Sequence, residues 1–246
     1  MRTALLADIH ANQEALSACL AHAQASGAER FVFLGDYVGY GADPGWAVDT
    51  VMAQVNAGAL AVLGNHDAAV LDGAVDLNEV ARAAIAWTRD RLTEPQRNFL
   101  RTLPLTAQDD DRLYVHASAW SPASWDYVTD QTAARRSFSA TPSRVTICGH
   151  VHVPQLYHLS ATGKLGEFSP QPGTAIPLVP QRRWLAVNGS VGQPRDGVAA
   201  AAYTLLDDGR DTLTYVRVPY DVTSAAAKVE AAGLPAVLGH RLIHGR

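Results

Sequence analysis

Apolar runs that stop abruptly on polar residues set the rhythm of this chain. Residues 3–9 (TALLADI), 31–35 (FVFLG) and 59–63 (ALAVL) are continuous apolar runs rather than alternating ones, the pattern of strands buried on both faces. Between them, 13–25 places Leu16, Cys19, Leu20 and Ala23 at helical spacing, and 45–56 does the same with Val48, Val51, Met52 and Val55. The order β-α-β-α-β predicts a parallel sheet covered by helices. A helix is predicted over 76–91, a shorter one over 94–102, a strand over 112–116 (RLYVH), an aromatic loop over 117–129, a short helix over QTAARRSF and a strand over 144–149.

Beyond GHVHVP the character changes. Stretches 155–159, 175–180, 184–188, 200–206 and 212–218 are short, rich in Leu, Val and Tyr, and separated by Gly, Pro and Asp, as in antiparallel strands with tight turns. DDGRDTLTYVRV is the clearest hairpin, and Asp221 opens an Ala-rich helix over 221–233 that Gly233 closes. Neither an internal repeat nor a low-complexity linker divides the two halves, so residues 1–246 are expected to form one domain.

Composition narrows the function. A net charge of −4 with no Lys/Arg-dense run argues against a long nucleic acid as partner. The opening MRTALLADIH is charged too early for a signal peptide, and no segment reaches membrane-spanning length, so a cytoplasmic protein without a membrane partner is expected. Cys19 and Cys148, far apart and in apolar contexts, read as reduced core thiols.

The chemistry lies at the strand ends. Asp8 and His10, Asp36, Asn65 and His66, His116, and His150 and His152 each follow an apolar run, where open α/β sheets bind their ligands. Burying so many polar groups unpaired costs several kcal/mol each, roughly, and a metal centre removes that cost. Imidazole together with carboxylate suits a borderline transition ion. Asp8 and His10, two residues apart, fall on one face if the strand simply continues, and His150 and His152 repeat the spacing. Two ions explain the number of donors better than one, with Asp36 as the natural bridge, because its carboxylate has two oxygens and can neutralise both; such metal pairs clamp the attacking and leaving oxygens of a phosphoryl group.

The blocks DIH, GDYVGYG, GNHD and GHVH, in this order and followed by NGSVGQPR (188–195), resemble the calcineurin-like metallophosphoesterase family, especially its small prokaryotic phosphodiesterase and phosphatase branch. The resemblance implies an α/β fold, a four-layer α-β-β-α sandwich with two central mixed sheets. It also implies a dinuclear centre, with Mn²⁺ favoured over Fe, Zn²⁺ or Ni²⁺. Asp8, His10 and His152 would serve the first ion, Asp36 both, and Asn65, His116 and His150 the second. His66 would take the catalytic position, assisting the leaving group. Asp67 either orients His66 or caps a helix. Arg195 either meets substrate charge or makes a surface ion pair, and Arg182 and Arg183 carry the same question.

The activity so implied is water-driven hydrolysis of phosphomono- or phosphodiesters of small phosphorylated or nucleotide substrates, by a monomer or small homo-oligomer. A dinucleoside polyphosphate hydrolase is the alternative, favoured if the loop 118–128 (SAWSPASWDYV) faces the metals as a base-stacking wall rather than closing the core edge. A phosphoprotein phosphatase fits less well, since the eukaryotic type carries an arginine shortly after the second block and GDYVGYG has none. A non-catalytic binding protein fits least, because every expected position is filled.

Overall fold

In the computed structural model, which describes residues 1–72 and 75–246, the first apolar runs form β1 (Arg2–Leu6), β2 (Arg30–Phe33) and β3 (Leu60–Ala61), with α1 (Gln13–Ala25) and α2 (Pro44–Asn56) between them. The three strands pair in parallel. Asn12 caps α1 by accepting from the Ala15 amide, and Pro44 opens α2, each satisfying or removing a donor that a helix start leaves free. Alternate side chains of β1 enter different layers. Ala4 and Leu6 join Leu16, Cys19 and Ala23 of α1, whereas Leu5 and Ala7 face a second sheet.

That second sheet contains β4 (Thr106–Asp109), β5 (Arg112–Val115), β6 (Val145–Cys148), β7 (Gln155–Ser160), β8 (Leu165–Phe168) and β10 (Arg182–Val187), in the order β4-β5-β6-β10-β7-β8. The chain returns through β9 (Ala175–Pro177), β11 (Ala201–Asp207) and β12 (Thr212–Val218) to complete the first sheet as β3-β2-β1-β11-β12-β9. Both sheets mix parallel and antiparallel pairs. Leu5, Val32 and Leu34 pack on Tyr114, Ile147 and Trp184 between them. Outside the second sheet, α6 (Gln131–Ser139) lays Ala134 and Phe138 on Val115, Cys148 and Leu185. The result is the expected helix–sheet–sheet–helix sandwich. Among the described residues no helix is long and apolar enough to cross a membrane.

Four further helices are α3 (Asn65–Asp72), α4 (Glu79–Arg89) and α5 (Glu94–Thr102), which share the core beneath α1 and α2, and α7 (Val222–Ala231), packed on a final helix, α8 (Ala236–His244). Neither α3 nor α8 is expected from the sequence pattern. The run 59–63 pairs over only two residues because the Leu63 amide turns away to the Pro104 carbonyl, and α3 begins inside the polar tetrapeptide. Gly239 lowers the helical propensity of α8 by about 1 kcal/mol relative to Ala, although a Cβ there would meet the Ala226 carbonyl only at an ordinary contact distance of 3.4 Å.

One buried side chain joins the two sheets. Asn188, just past β10, donates to the Leu5 carbonyl of β1 and accepts from the Thr204 hydroxyl of β11, both at 2.9 Å. Replacing Asn188 with alanine leaves the Thr204 hydroxyl buried without its acceptor and takes one donor from the Leu5 carbonyl, and a loss of about 1–3 kcal/mol is expected. Urea unfolding checks it: the midpoint should fall at unchanged m.

Candidate metal centre

The strands stop where the polar residues begin, and the backbone there is unusual. Asp8, His10 and Asp36 have φ of 54°, 48° and 56°, and His150 and His152 have 69° and 65°. This left-handed region costs a non-glycine residue roughly 1–2 kcal/mol. Interlocking hydrogen bonds hold the turns in place: Asp8 N to Gly35 O at 3.1 Å, His10 N to Asp36 O at 2.9 Å, Gly192 N to Asp8 O at 2.9 Å and Gly149 N to His116 O at 2.8 Å. Gly64 lets the loop after β3 press on the loop after β2, since a Cβ there would sit 2.2 Å from the Asp36 amide nitrogen and Oδ1. Asp8 and His10 therefore converge through a turn, not as neighbours on one face of a continuing strand.

Two donor groups result, and they meet at Asp36. His10 Nε2 lies 3.1 Å from His152 Nε2 and 3.7 Å from Asp36 Oδ2, while His152 Nε2 is 3.4 Å from Asp8 Oδ1. On the other side His116 Nε2 is 3.4 Å from Asp36 Oδ2, 3.0 Å from Asn65 Oδ1 and 3.1 Å from His150 Nδ1. All of these residues are buried. His150 and His152 diverge to opposite groups despite repeating the spacing of Asp8 and His10, because each sits in its own left-handed turn.

These donors fit cations and little else. The Nδ1 atoms of His10, His152 and His116 face the carbonyls of Val38, Gln193 and Leu34 at 3.1, 2.6 and 2.7 Å. A carbonyl only accepts, so in the neutral ring each Nδ1 carries the proton and each Nε2 presents a lone pair. Lone pairs of His10 and His152 then confront each other with no hydrogen to share. The groups Asp8, His10, His152 and Asp36, His116, His150 each bring their ligand atoms within 4.8 Å of one another, a mixed nitrogen and oxygen set suited to borderline divalent ions.

Electrostatics agree. Burial drives His10 and His152 well below the usual imidazole range and takes His150 down to about 3. Burial pushes Asp8 up to about 7, the His116 charge opposing and Asp36 adding to the rise. Asp36 is disfavoured by burial, but the imidazoles of His116 and His66 outweigh it and hold the carboxyl well below its usual range. Burial likewise opposes charge on His116, yet the Asp36 carboxylate lifts it to about 9. A proton on His116 thus supplies positive charge that a metal ion would replace.

The remaining candidates separate clearly. His66 lies beside the centre, its ring 4.8 Å from that of His10 and 4.5 Å from that of Tyr40, and its amide donates to Asp36 Oδ1 at 2.8 Å. Its Nδ1 has no partner among the described residues. Asp67 does not reach that ring. Its carboxylate instead accepts from the amides of Asp36, Tyr37, Val38 and Gly64 at 2.8 to 3.3 Å, which corrects the expectation that it orients His66.

Arg195 makes no ion pair among the described residues. It donates to Gln193 Oε1 at 3.0 Å, keeps a buried Nε without a partner, and holds its guanidinium carbon 5.8 Å from the centre of the Tyr40 ring. Arg183 is spent on the carbonyls of Ser143 and Thr141 and Arg182 faces His158, at the end of β10 remote from the metals. Tyr37 is likewise structural, donating to Val62 O at 2.5 Å.

The aromatic loop faces the centre. The Trp125 ring stands 5.9 Å from that of His116, and Tyr127 stacks on His150 at 4.0 Å and 22°. Together with Tyr40, Asn65, His66 and His150 they line an open cleft of about 500 Å³. Sequence reasoning missed Gln193 and Ser190. Gln193 supplies the carbonyl that fixes His152, and the Ser190 hydroxyl donates to Asp8 O at 2.7 Å. The block NGSVGQPR was their only signal.

Residues 1–209 match the calcineurin-like phosphoesterase superfamily domain. Over 99% of its length the chain is 32% identical to an uncharacterized protein of Methanocaldococcus jannaschii, covering 98% of that protein. A metallophosphoesterase from Sphaerobacter thermophilus superposes with a TM-score of 0.88 at 33% identity, over 100% of this chain and 99% of that one. A hypothetical protein from Pyrococcus horikoshii superposes at 0.77 with 18% identity, over 100% and 98% of the two chains, a likeness of fold.

Protons compete with metal for these ligands. His116 is protonated below about pH 9 and Asp8 below about pH 7, so binding must expel one proton between those values and a second below the lower one. Calorimetric titration with Mn²⁺ should find affinity rising about tenfold per pH unit from pH 7 to 9, and more steeply from 6 to 7; a flat profile would overturn this.

Proposed function

The chain belongs to the calcineurin-like phosphoesterase superfamily and is a metal-dependent phosphoesterase, and we propose that it hydrolyses small phosphorylated or nucleotide substrates at the junction of the two donor groups. Asp8, His10 and His152 would hold one ion, Asn65, His116 and His150 the other, with Asp36 shared between them. The confrontation of bare lone pairs across His10 and His152 carries this reading. The chemistry that two divalent ions supply here is polarisation of phosphoryl oxygens and activation of water as a nucleophile. The family resemblance favours manganese, while the mixed imidazole and carboxylate donors suit borderline divalent ions in general.

The protein's own groups do the rest. Burial lowers the pKa of His66, so its ring enters the reaction neutral, with one N–H to donate. It lines the cleft, and from there it hydrogen-bonds the departing oxygen as charge develops on it. Tyr40 packs against the rings of both His66 and His10 and holds the donor in place. Arg195, with its guanidinium carbon 5.8 Å from the centre of the Tyr40 ring, adds positive charge on that side of the cleft. The dinucleoside polyphosphate reading gains support from the loop 118–128, since Trp125 and Tyr127 stand against metal-side histidines.

Two broader readings go with this one. The donors span residues 8 to 152 and both sheets, which supports a single domain. Burial raises the pKa of both thiols and neither cysteine is in a disulfide, which suits the cytoplasm.

Metal-stripped protein reloaded with Mn²⁺, Fe²⁺ or Zn²⁺ tests the proposal. Turnover of a phosphomonoester, a phosphodiester and diadenosine tetraphosphate should return with metal. His66→Ala should then lower kcat roughly 10²-fold or more on an alkyl ester and much less on a p-nitrophenyl ester, whose leaving group needs little help. Equal losses on both esters would remove His66 from the leaving-group role.

A further inference from the structure

The cleft does not end at Tyr127. On the far side of that ring lies a separate depression of about 200 Å³ lined by Ser118, Trp120, Asp126, Tyr127, Ala133 and Arg136. Tyr127 lines both spaces, so it stands as the wall between the metal centre and the depression. Trp120 and Tyr127 are 42% and 52% exposed, two of the few large apolar side chains left at the surface, and they belong to one loop. Exposed aromatics gathered beside a polar cleft mark a binding surface.

The depression has its own chemistry. The Arg136 guanidinium carbon lies 5.3 Å from the centre of the Trp120 ring, which covers one side of the indole and adds positive charge. The Asp126 carboxylate accepts hydrogen bonds. The Ser118 hydroxyl already accepts from the Trp120 amide at 3.1 Å, which fixes the backbone that carries the indole. Space below that of a drug-sized site, an aromatic floor, an acceptor and a cation together suit one flat heterocycle bearing both donors and acceptors.

We propose that this depression is a distal subsite that binds the nucleobase of a phosphodiester whose phosphorus lies at the metal centre, with Trp120 as the stacking platform and Asp126 and Arg136 reading the base edge. The inference rests on the phosphoesterase reading and names its substrate class. Trp120 acts on selection, not on the reacting atoms. A long peptide substrate has no need of such a subsite, whereas a nucleoside ester fills it with every turnover.

Two diesters with the same leaving group isolate the effect: thymidine 5′-(p-nitrophenyl phosphate) and bis(p-nitrophenyl) phosphate, assayed on the full Mn²⁺-loaded chain. The wild-type protein should prefer the nucleoside ester, and Trp120→Ala should cut that preference about tenfold, through KM. Trp120→Phe, which keeps a ring, should restore most of it. Thymidine 5′-monophosphate should also quench tryptophan fluorescence more in the wild type than in Trp120→Ala, in which Trp125 of the cleft is left to respond. Quenching that depends on Trp120, without turnover of either ester, supports the subsite and counts against the phosphoesterase reading. Turnover without nucleoside preference, preference untouched by Trp120→Ala, or absence of quenching overturns the subsite.

Discussion

Two imidazole nitrogens that can only accept, on His10 and His152, face each other at 3.1 Å in a buried site. No protein hydrogen bond relieves that contact, and the arrangement is favourable only with positive charge between or beside the rings. Much of the surrounding structure follows from maintaining it. Each ring is turned outward from a carbonyl on a different loop: His10 from Val38, His152 from Gln193 and, in the adjoining group, His116 from Leu34. The orientation of these three ligands therefore depends on the conformation of a segment other than their own.

Asp67 explains how those segments keep their shape. Four amides that would otherwise be orphaned in the loops after β2 and β3 converge on one carboxylate, the kind of charged acceptor that strengthens backbone hydrogen bonds. With the loop after β2 so clamped, Asp36 can keep its left-handed backbone and still present one oxygen to the His66 amide and the other to both donor groups. Strain at a functional position persists when its surroundings over-determine it, and here they do.

The donors were legible because a polar residue at the end of an apolar run has few reasons to be there. The pattern alone gave a parallel βα unit followed by short, turn-bounded strands, because β1 and β2 are apolar on both faces; that these form two facing sheets came only with the family resemblance. Other features depend on long-range geometry that local pattern does not carry. That His150 and His152 serve opposite groups follows from two left-handed turns, not from their spacing. The service of Asp67 to backbone amides, and the reach of Arg195 toward Tyr40, depend on loops brought together from distant parts of the chain. Helix α8 was hidden by its internal glycine, and β4 and β8 by being short edge strands with little alternation.

The joint at 188–193 also sets a direction in time. Asn188 holds Leu5 and Thr204, Ser190 holds the Asp8 carbonyl, and Gln193 fixes the His152 ring. A ribosome joins these residues after every metal-side aspartate and histidine. Until Gln193 is out, the growing chain carries all the donors but lacks the frame that aims them. A nascent or prematurely terminated chain would thus display histidines and carboxylates without a defined geometry to choose among ions, and selective loading belongs to the finished protein.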